Sequence, residues 1–531
     1  LCTTTWTNNC VWHYFVLPLA SVGRGRLPVG YPASRVGWIG QTLAHWQPLP
    51  VGRAAKPPGG GGWEVARLDR TNVEFAQRVD ATAAMLASHG VGAGDVVATV
   101  LTNRVELVVV MFATWQVGAT LTPVNPALKA NEAEFQLSDS ASKVVVHEGS
   151  AFQLDDATLV DVADLPTTGG FGGATVPSAT DPSALALLIY TSGTTGTPKG
   201  VELDHANLIA MVTGIIEATG LGATDRCLLI LPLFHVNGIV VSILSPLAVG
   251  GSTSITARFS PLAFFDIIAR ERPTYFSAVP AIYAMLSTLP DSVEPDVSSV
   301  RFAVCGAAPM PAELIERFEQ RFSLPIVEGY GLSEATCAST LNPIDGVHKP
   351  GTVGVALPGQ EVILLGEDGR PTTEGRGEVI IRGPIVMRGY LGRPEETPNT
   401  LVDGWLRTGD VGAIDEVGYL SIVDRLKDMI IRGGENIYPK GIENVLYGHP
   451  EVLEAAVVGR PDDVLGEVPV AYVSLRNAGA TTAEELLARC ADRLARYKVA
   501  VQITIIDNLP KNPIGKMAKP DLRSRSAQAA G

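Results

Sequence analysis

From Asn72 the apolar positions of the chain become regular. Val73, Ala76, Val79, Ala83 and Leu86 recur at helical spacing until Gly90. Residues 96–101 then read as a strand, 106–117 as a helix, 119–122 as a strand ended by Pro123, 130–137 as a helix and 143–147 as a strand. Such alternation predicts a largely parallel sheet covered on both faces. A buried strand follows at 185–189, and Asp204 reads as the N-cap of a helix whose apolar face is Leu208, Met211, Val212, Ile215 and Ile216, stopped by Gly220. A second α/β repeat comprises strands at 226–231, 252–255 and 275–279 and an apolar helix at 238–249. Strand 301–305 feeds the loop Gly306-Ala307-Ala308-Pro309, and strand 326–327 feeds Glu328-Gly329-Tyr330-Gly331. Open α/β sheets build ligand crevices from loops at such strand ends.

Beyond Gly351 the texture changes. Short strands with Gly turns (361–365, 377–382, 419–423) predict a small β-rich subdomain. After Asp424 a compact unit carries strands near 429–431, 455–458, 468–475 and 501–506, with helices at 439–447 and 483–497. Its roughly hundred residues suit a small independent domain. Residues 1–62 keep no period and end in Pro57-Pro58-Gly59-Gly60-Gly61-Gly62, and 167–174 reads as a Gly/Thr-rich surface loop. The expected division is an irregular extension at 1–62, a large domain at 63–424 and a small C-terminal domain at 425–531.

A length of 531 residues agrees with more than one core. The net charge of −14 argues against a nucleic-acid partner, whose phosphates would be repelled. The six cysteines (Cys2, Cys10, Cys227, Cys305, Cys337, Cys490) form no CxxC pair, and the eight histidines no HExxH. That pattern predicts reduced thiols, no structural metal and a cytoplasmic setting. No apolar run reaches the length of a membrane span, and 10–20 is a poor signal peptide. Peripheral membrane contact stays open, as do monomer and homodimer.

The candidate chemistry centres on Thr191-Ser192-Gly193-Thr194-Thr195-Gly196-Thr197-Pro198-Lys199-Gly200. Three glycines and five hydroxyls leave a loop of little bulk and many donors, a concavity suited to an anion. Lys199 adds a point charge for a polyphosphate. No Gly-Lys-Ser/Thr closes the loop, so it is not a Walker A sequence. An ordinary surface turn would account for neither the hydroxyl density nor the terminal Lys-Gly.

At these residues the chain resembles the adenylate-forming superfamily: acyl-CoA synthetases, aryl-CoA ligases, luciferases and the adenylation domains of peptide synthetases. The resemblance covers roughly residues 72–520. It implies an α/β fold: a large N-terminal domain of stacked, mostly parallel α/β sheets with a β-rich subdomain, and a small C-terminal α+β cap on a hinge. It implies ATP, Mg²⁺ and coenzyme A as cofactors or co-substrates, and a small-molecule carboxylate as partner. Thr191, Ser192, Gly193, Thr194, Thr195, Gly196 and Lys199 are expected around the phosphates, with Thr191 and Lys199 also in the catalytic set. Gly306, Ala307 and Ala308, with Glu328, Gly329, Tyr330 and Gly331, match the two loops that sandwich adenine. Glu334 matches the Mg²⁺ ligand, Asp410 the ribose clamp and Arg425 its partner. Lys427 matches the hinge, and Gly433-Gly434 the stretch that a pantetheine arm passes. His235 matches a gating residue beside the acyl carboxylate, and Lys516 the lysine that meets that carboxylate and the α-phosphate.

Gly331-Leu332-Ser333-Glu334-Ala335 is only a weak likeness to a serine-hydrolase elbow, since Ala holds the fifth position. The expected acyl-pocket positions (Val236, Gly238, Ile239, Val241, 277–285, Cys305, Leu332) include no charged side chain. That favours an apolar acid, a fatty acid first and an aryl or arylpropenoic acid second. Two rivals are an enzyme loading a carrier protein and a catalytically silent nucleotide-binding regulator.

Overall fold

Strands rich in Val, Ile and Leu, buried on both faces, alternate with helices through the first part of the chain, and this places its sheet between helical layers. The computed structural model describes residues 72–528 except 150–151, 153, 155, 168–180, 192–197, 309, 367, 426–427, 434, 463 and 512–516. The expected extension at 1–62 and nearly all of the 167–174 loop lie outside these. Two compact units are formed: one of residues up to Ser277 with 298–300 and 384–393, the other of 278–297, 301–383 and 394 onward.

In the first unit a seven-stranded sheet runs in the order Gly389–Tyr390, Lys199–Asp204, Leu185–Thr191, Thr120–Val124, Val96–Val100, Ser142–His147, Thr158–Asp161. The last five strands are parallel neighbours, whereas Lys199–Asp204 pairs antiparallel on both its sides. The Thr120–Val124 strand does not stop at Pro123 but runs through it, paired Thr99 to Pro123. Proline brings no N–H to the ladder, and the Thr122 hydroxyl supplies a donor to Leu188 O at 2.9 Å.

The Val105–Gln116 helix is buried continuously from Leu107 to Trp115, so its apolar run serves the core. Among the described residues no helix is long and apolar enough to cross a membrane. Asp204 caps the His205–Thr219 helix as expected: its carboxylate accepts the Asn207 N–H at 2.8 Å, and Gly220 closes the helix at φ 62°. Three further parallel strands, Arg226–Leu229, Ser252–Ile255 and Tyr275–Ala278, form the second repeat.

In the second unit Phe302–Cys305 and Ile326–Tyr330 are parallel, and Thr340–Leu341 and Val355–Ala356 continue antiparallel. The β-rich part is an antiparallel sheet around Gly375–Arg382 and Trp405–Ile414, with Leu420–Arg425 paired to the latter. The C-terminal sheet pairs Val452–Asp462 with Gly466–Leu475, flanked by Ile430–Arg432 and Gln502–Ile505. The expected helix at 483–497 ends at Arg493, where Leu494 turns extended and packs with Val499 against the core. A separate 3-10 turn spans Arg496–Lys498.

Candidate active site

The Glu328-Gly329-Tyr330 stretch, expected as a loop, is the end of the Ile326–Tyr330 strand. A two-residue strand holds it there, pairing Gly329 with Leu341 and Tyr330 with Thr340. Backbones approach closely here. A Cβ at Gly331 would lie 1.9 Å from Cys337 O, so glycine is required by contact. On the facing strand end, Ala307 takes φ 68°, a left-handed backbone that costs energy for any residue with a Cβ.

Tyr330 is aimed by its hydroxyl, which donates to Asp410 Oδ2 at 2.6 Å. Asp410 is only 3% exposed, and its Oδ1 lies 2.9 Å from Arg425 Nε. The two are register partners, so the sheet itself sets the pair. A carboxylate with donors on both oxygens, beside a half-exposed guanidinium, is a preformed acceptor for vicinal hydroxyls. Burial works against the charge of Arg425, while Asp410, Tyr330, Asp428 and Glu334 favour it, and the balance holds the guanidinium above its ordinary value. Thus Tyr330, Asp410, Arg425 and the charge of Glu334 come together. Glu334 lies in a 3-10 turn, Ser333–Ala335, just after the aromatic strand end.

The bend that presents Asp410 has supports that its sequence does not advertise. Gly409 takes φ 70° and donates its N–H to Glu378 Oε1 at 3.0 Å. Glu378 also receives Arg407, and Thr408 bridges Val379 O and the Asp410 N–H at 2.7 and 3.1 Å. Glu378 and Arg407 carry no motif signal, because either would read as an ordinary strand charge.

In the first unit, Thr191 and Lys199 are paired at the loop end of an antiparallel hairpin. The residues expected between them on the phosphates, Ser192, Gly193, Thr194, Thr195 and Gly196, lie outside the described ones, as do Lys427, Gly434 and Lys516. The hairpin base is pinned: Tyr190 Oη donates to Asp139 at 2.8 Å, Arg393 reaches the same carboxylate at 3.3 Å, and Lys199 Nζ sits 5.2 Å above the Tyr390 ring. His235 is the N-cap residue of Val236–Ile239. Asn103 fixes the turn before it, donating to Leu231 O and accepting the Leu233 N–H, each at 2.9 Å. Gly238 is required by contact too, since a Cβ would meet Pro232 O at 2.6 Å. Gly433 takes φ 59° and donates to Leu465 O at 2.7 Å.

Burial pushes the Cys227 and Cys337 thiols up to about 12 and Cys490 up to about 11, which keeps them out of nucleophilic chemistry. Among the described residues no group of three His, Cys, Asp or Glu side chains could hold a metal ion alone.

Residues 68–391 match the AMP-binding enzyme family and 441–516 match the AMP-binding enzyme C-terminal domain. The chain belongs to this family, the adenylate-forming enzymes, and has its architecture of mixed α/β sheets in a large N-terminal and a small C-terminal domain. It is 37% identical to a feruloyl-CoA synthase of an Amycolatopsis species over 492 residues, 91% of this chain and 99% of the relative. It is likewise 37% identical to the long-chain-fatty-acid–CoA ligase FadD13 of Mycobacterium tuberculosis over 457 residues, 83% of this chain and 90% of the relative. Among solved structures, ATP-bound MatB from Rhodopseudomonas palustris superposes with a TM-score of 0.81 at 30% identity, covering 87% of this chain and 94% of that one.

Proposed function

We propose that this chain is an ATP-dependent acyl-CoA synthetase that activates an apolar carboxylic acid as acyl-AMP and passes the acyl group to coenzyme A. The observation that carries the reading is the Asp410 carboxylate, buried and held between Tyr330 and Arg425. Ribose hydroxyls bind there, and adenine lies between Gly306-Ala307-Ala308 and Gly329-Tyr330-Gly331. The loop from Thr191 to Lys199 grips the triphosphate. The substrate carboxylate attacks the α-phosphorus, the bond to the bridging oxygen breaks, and pyrophosphate leaves. Lys516 meets the attacking oxygen and the α-phosphate, and His235 borders the acyl group. Glu334 would hold Mg²⁺, which would neutralise charge on the phosphates, since this cation takes one or two protein carboxylates.

The C-terminal segment from 425 onward acts as a cap that turns at Lys427. It takes Lys516 out and brings Gly433-Gly434 to the site for the thiol of coenzyme A. The thiol then attacks the acyl carbonyl and AMP departs.

A fatty acid is the first choice of substrate, because the run from Val236 to Leu244 after His235 holds no charge. An arylpropenoic acid is the second, favoured by the match to a feruloyl-CoA synthase over 99% of that relative. The test is a panel of fatty, aryl and arylpropenoic acids assayed with ATP and coenzyme A for AMP and thioester. Thioester formation with at least one apolar acid is expected. Adenylate formation without transfer to coenzyme A would point to a carrier-loading enzyme instead.

A further inference from the structure

Beside the nucleotide clamp, one ammonium ties the C-terminal segment to the strand that ends in Arg425. Lys440 lies in the first turn of the Pro439–Tyr447 helix. Its N–H donates to Asp424 Oδ2 at 2.9 Å, and its Nζ donates to Ile422 O. Tyr438, the N-cap residue, makes no side-chain cap hydrogen bond, and the Lys440 N–H in the first turn is met by Asp424 on a different element. The other oxygen of Asp424 accepts the Arg425 N–H at 2.8 Å. A single carboxylate, 7% exposed, thereby joins the start of the helix to the residue that pairs with Asp410.

Neighbouring charges make this junction specific. Glu328 on the adenine-side strand is 5% exposed, and the Lys440 charge acts on it. One turn along the helix, Glu443 is occupied within the C-terminal segment, by Lys519 at 2.9 Å and the Val457 N–H at 2.8 Å. Lys519 also contributes positive charge to Asp424. Of the two lysines facing Asp424, Lys440 hydrogen-bonds residues that precede Lys427, whereas Lys519 pairs with Glu443 inside the C-terminal segment.

Taking the two-orientation cycle above as its basis, we infer that Lys440 is a positioning residue that latches the C-terminal cap in one of its two working orientations by docking on Ile422 and Asp424. A cap that turns at Lys427 must break both contacts. It then leaves a buried carboxylate short of a donor and an ammonium to be solvated elsewhere, so the latch biases the cycle toward the orientation in which it is closed. Because Asp424 and Arg425 are consecutive, a ribose that engages Arg425 pulls on the strand end to which the latch is fastened.

The test separates the half-reactions in full-length protein. Pyrophosphate exchange into ATP reports adenylation, and thioester formation from supplied acyl-AMP and coenzyme A reports transfer. Lys440→Met keeps the length of the side chain and removes the ammonium. It should lower one rate and preserve or raise the other, changing their ratio by about tenfold, within the usual range of coupling between sites. Asp424→Asn puts an NH2 in place of one of the two accepting oxygens, so the Lys440 or the Arg425 N–H loses its acceptor, and the ratio should move the same way by less. It also serves if Lys440→Met fails to fold. Equal losses in both half-reactions, or an unmoved ratio in both variants, overturn the latch. A wild-type protein that performs neither half-reaction with any acid of the panel overturns the synthetase reading, and the latch with it.

Discussion

Asp410 carries much of the proposed nucleotide affinity, because both its oxygens are already committed before a ribose arrives. Asp410→Asn keeps the shape and removes the charge that orients Arg425 and Tyr330. We expect kcat/KM for ATP in the exchange reaction to fall roughly 10- to 100-fold, mostly through KM. Tyr330→Phe, which deletes one donor, should cost only a few-fold; an unchanged KM in Asp410→Asn would remove the residue from the clamp. Glu328 makes a different prediction. Burial pushes its carboxyl up from 4.5 to about 7, against the Gly351 N–H and the Lys440 charge. The folded protein therefore favours the neutral form, and the stability this contributes is complete below pH 4.5 and lost as pH rises through 7. Glu328→Gln cannot ionise. It should exceed the wild type by on the order of 1–3 kcal/mol at pH 8, with the gap closing toward pH 5, in urea unfolding at the two pH values. A variant less stable than wild type at pH 8 contradicts this.

At the scale of elements, glycines in the two turns proposed for adenine differ in a way that contact distances decide. Gly331→Ala would drive a Cβ to 1.9 Å from a backbone carbonyl that cannot yield alone, whereas at Gly306 the nearest atom is 3.5 Å away. The first change should cost about 3 kcal/mol or prevent folding, and the second less than about 0.5, read from thermal unfolding of both variants. Sequence pattern located these turns and most parallel strands, since period and bounding Gly or Pro are local signals. It stopped the Ile326–Tyr330 strand early because the residues that extend it, Thr340 and Leu341, come from a distant stretch. The helix after His235 holds a π-helical turn at Val240–Leu244 that no local period announces. Its carbonyls are met from other strands, by Tyr275 Oη on Val241 O at 2.8 Å and Thr253 Oγ1 on Ser242 O at 2.7 Å. Asn103 and Glu378 escaped notice for the same reason, as single polar residues whose partners only the fold supplies.

For the molecule as a whole, the proposed cycle requires the C-terminal segment to travel as one body, and its packing supports that. Its sheet is covered on both faces: Ile430, Ile442, Leu446, Leu486 and Ile503 pack on one side, and Leu509 and Leu522 join Val458 and Val470 on the other. Such a segment keeps its core when it turns, so the cost of motion falls on contacts at its edge, such as those of Lys440. Met517 packs against the second of these cores and bridges to Lys511. The residue next to Lys516 is therefore anchored to the cap, and the proposed cycle has the Lys516 ammonium travel with it. If that ammonium serves only the attack on the α-phosphorus, Lys516→Ala should lower pyrophosphate exchange by on the order of 10²–10³-fold. Thioester formation from supplied acyl-AMP should stay within a few-fold of wild type, because the lysine has by then left the site. Equal losses in the two assays would mean that a single cap orientation performs both steps, and the alternation would have to be abandoned even with the nucleotide clamp intact.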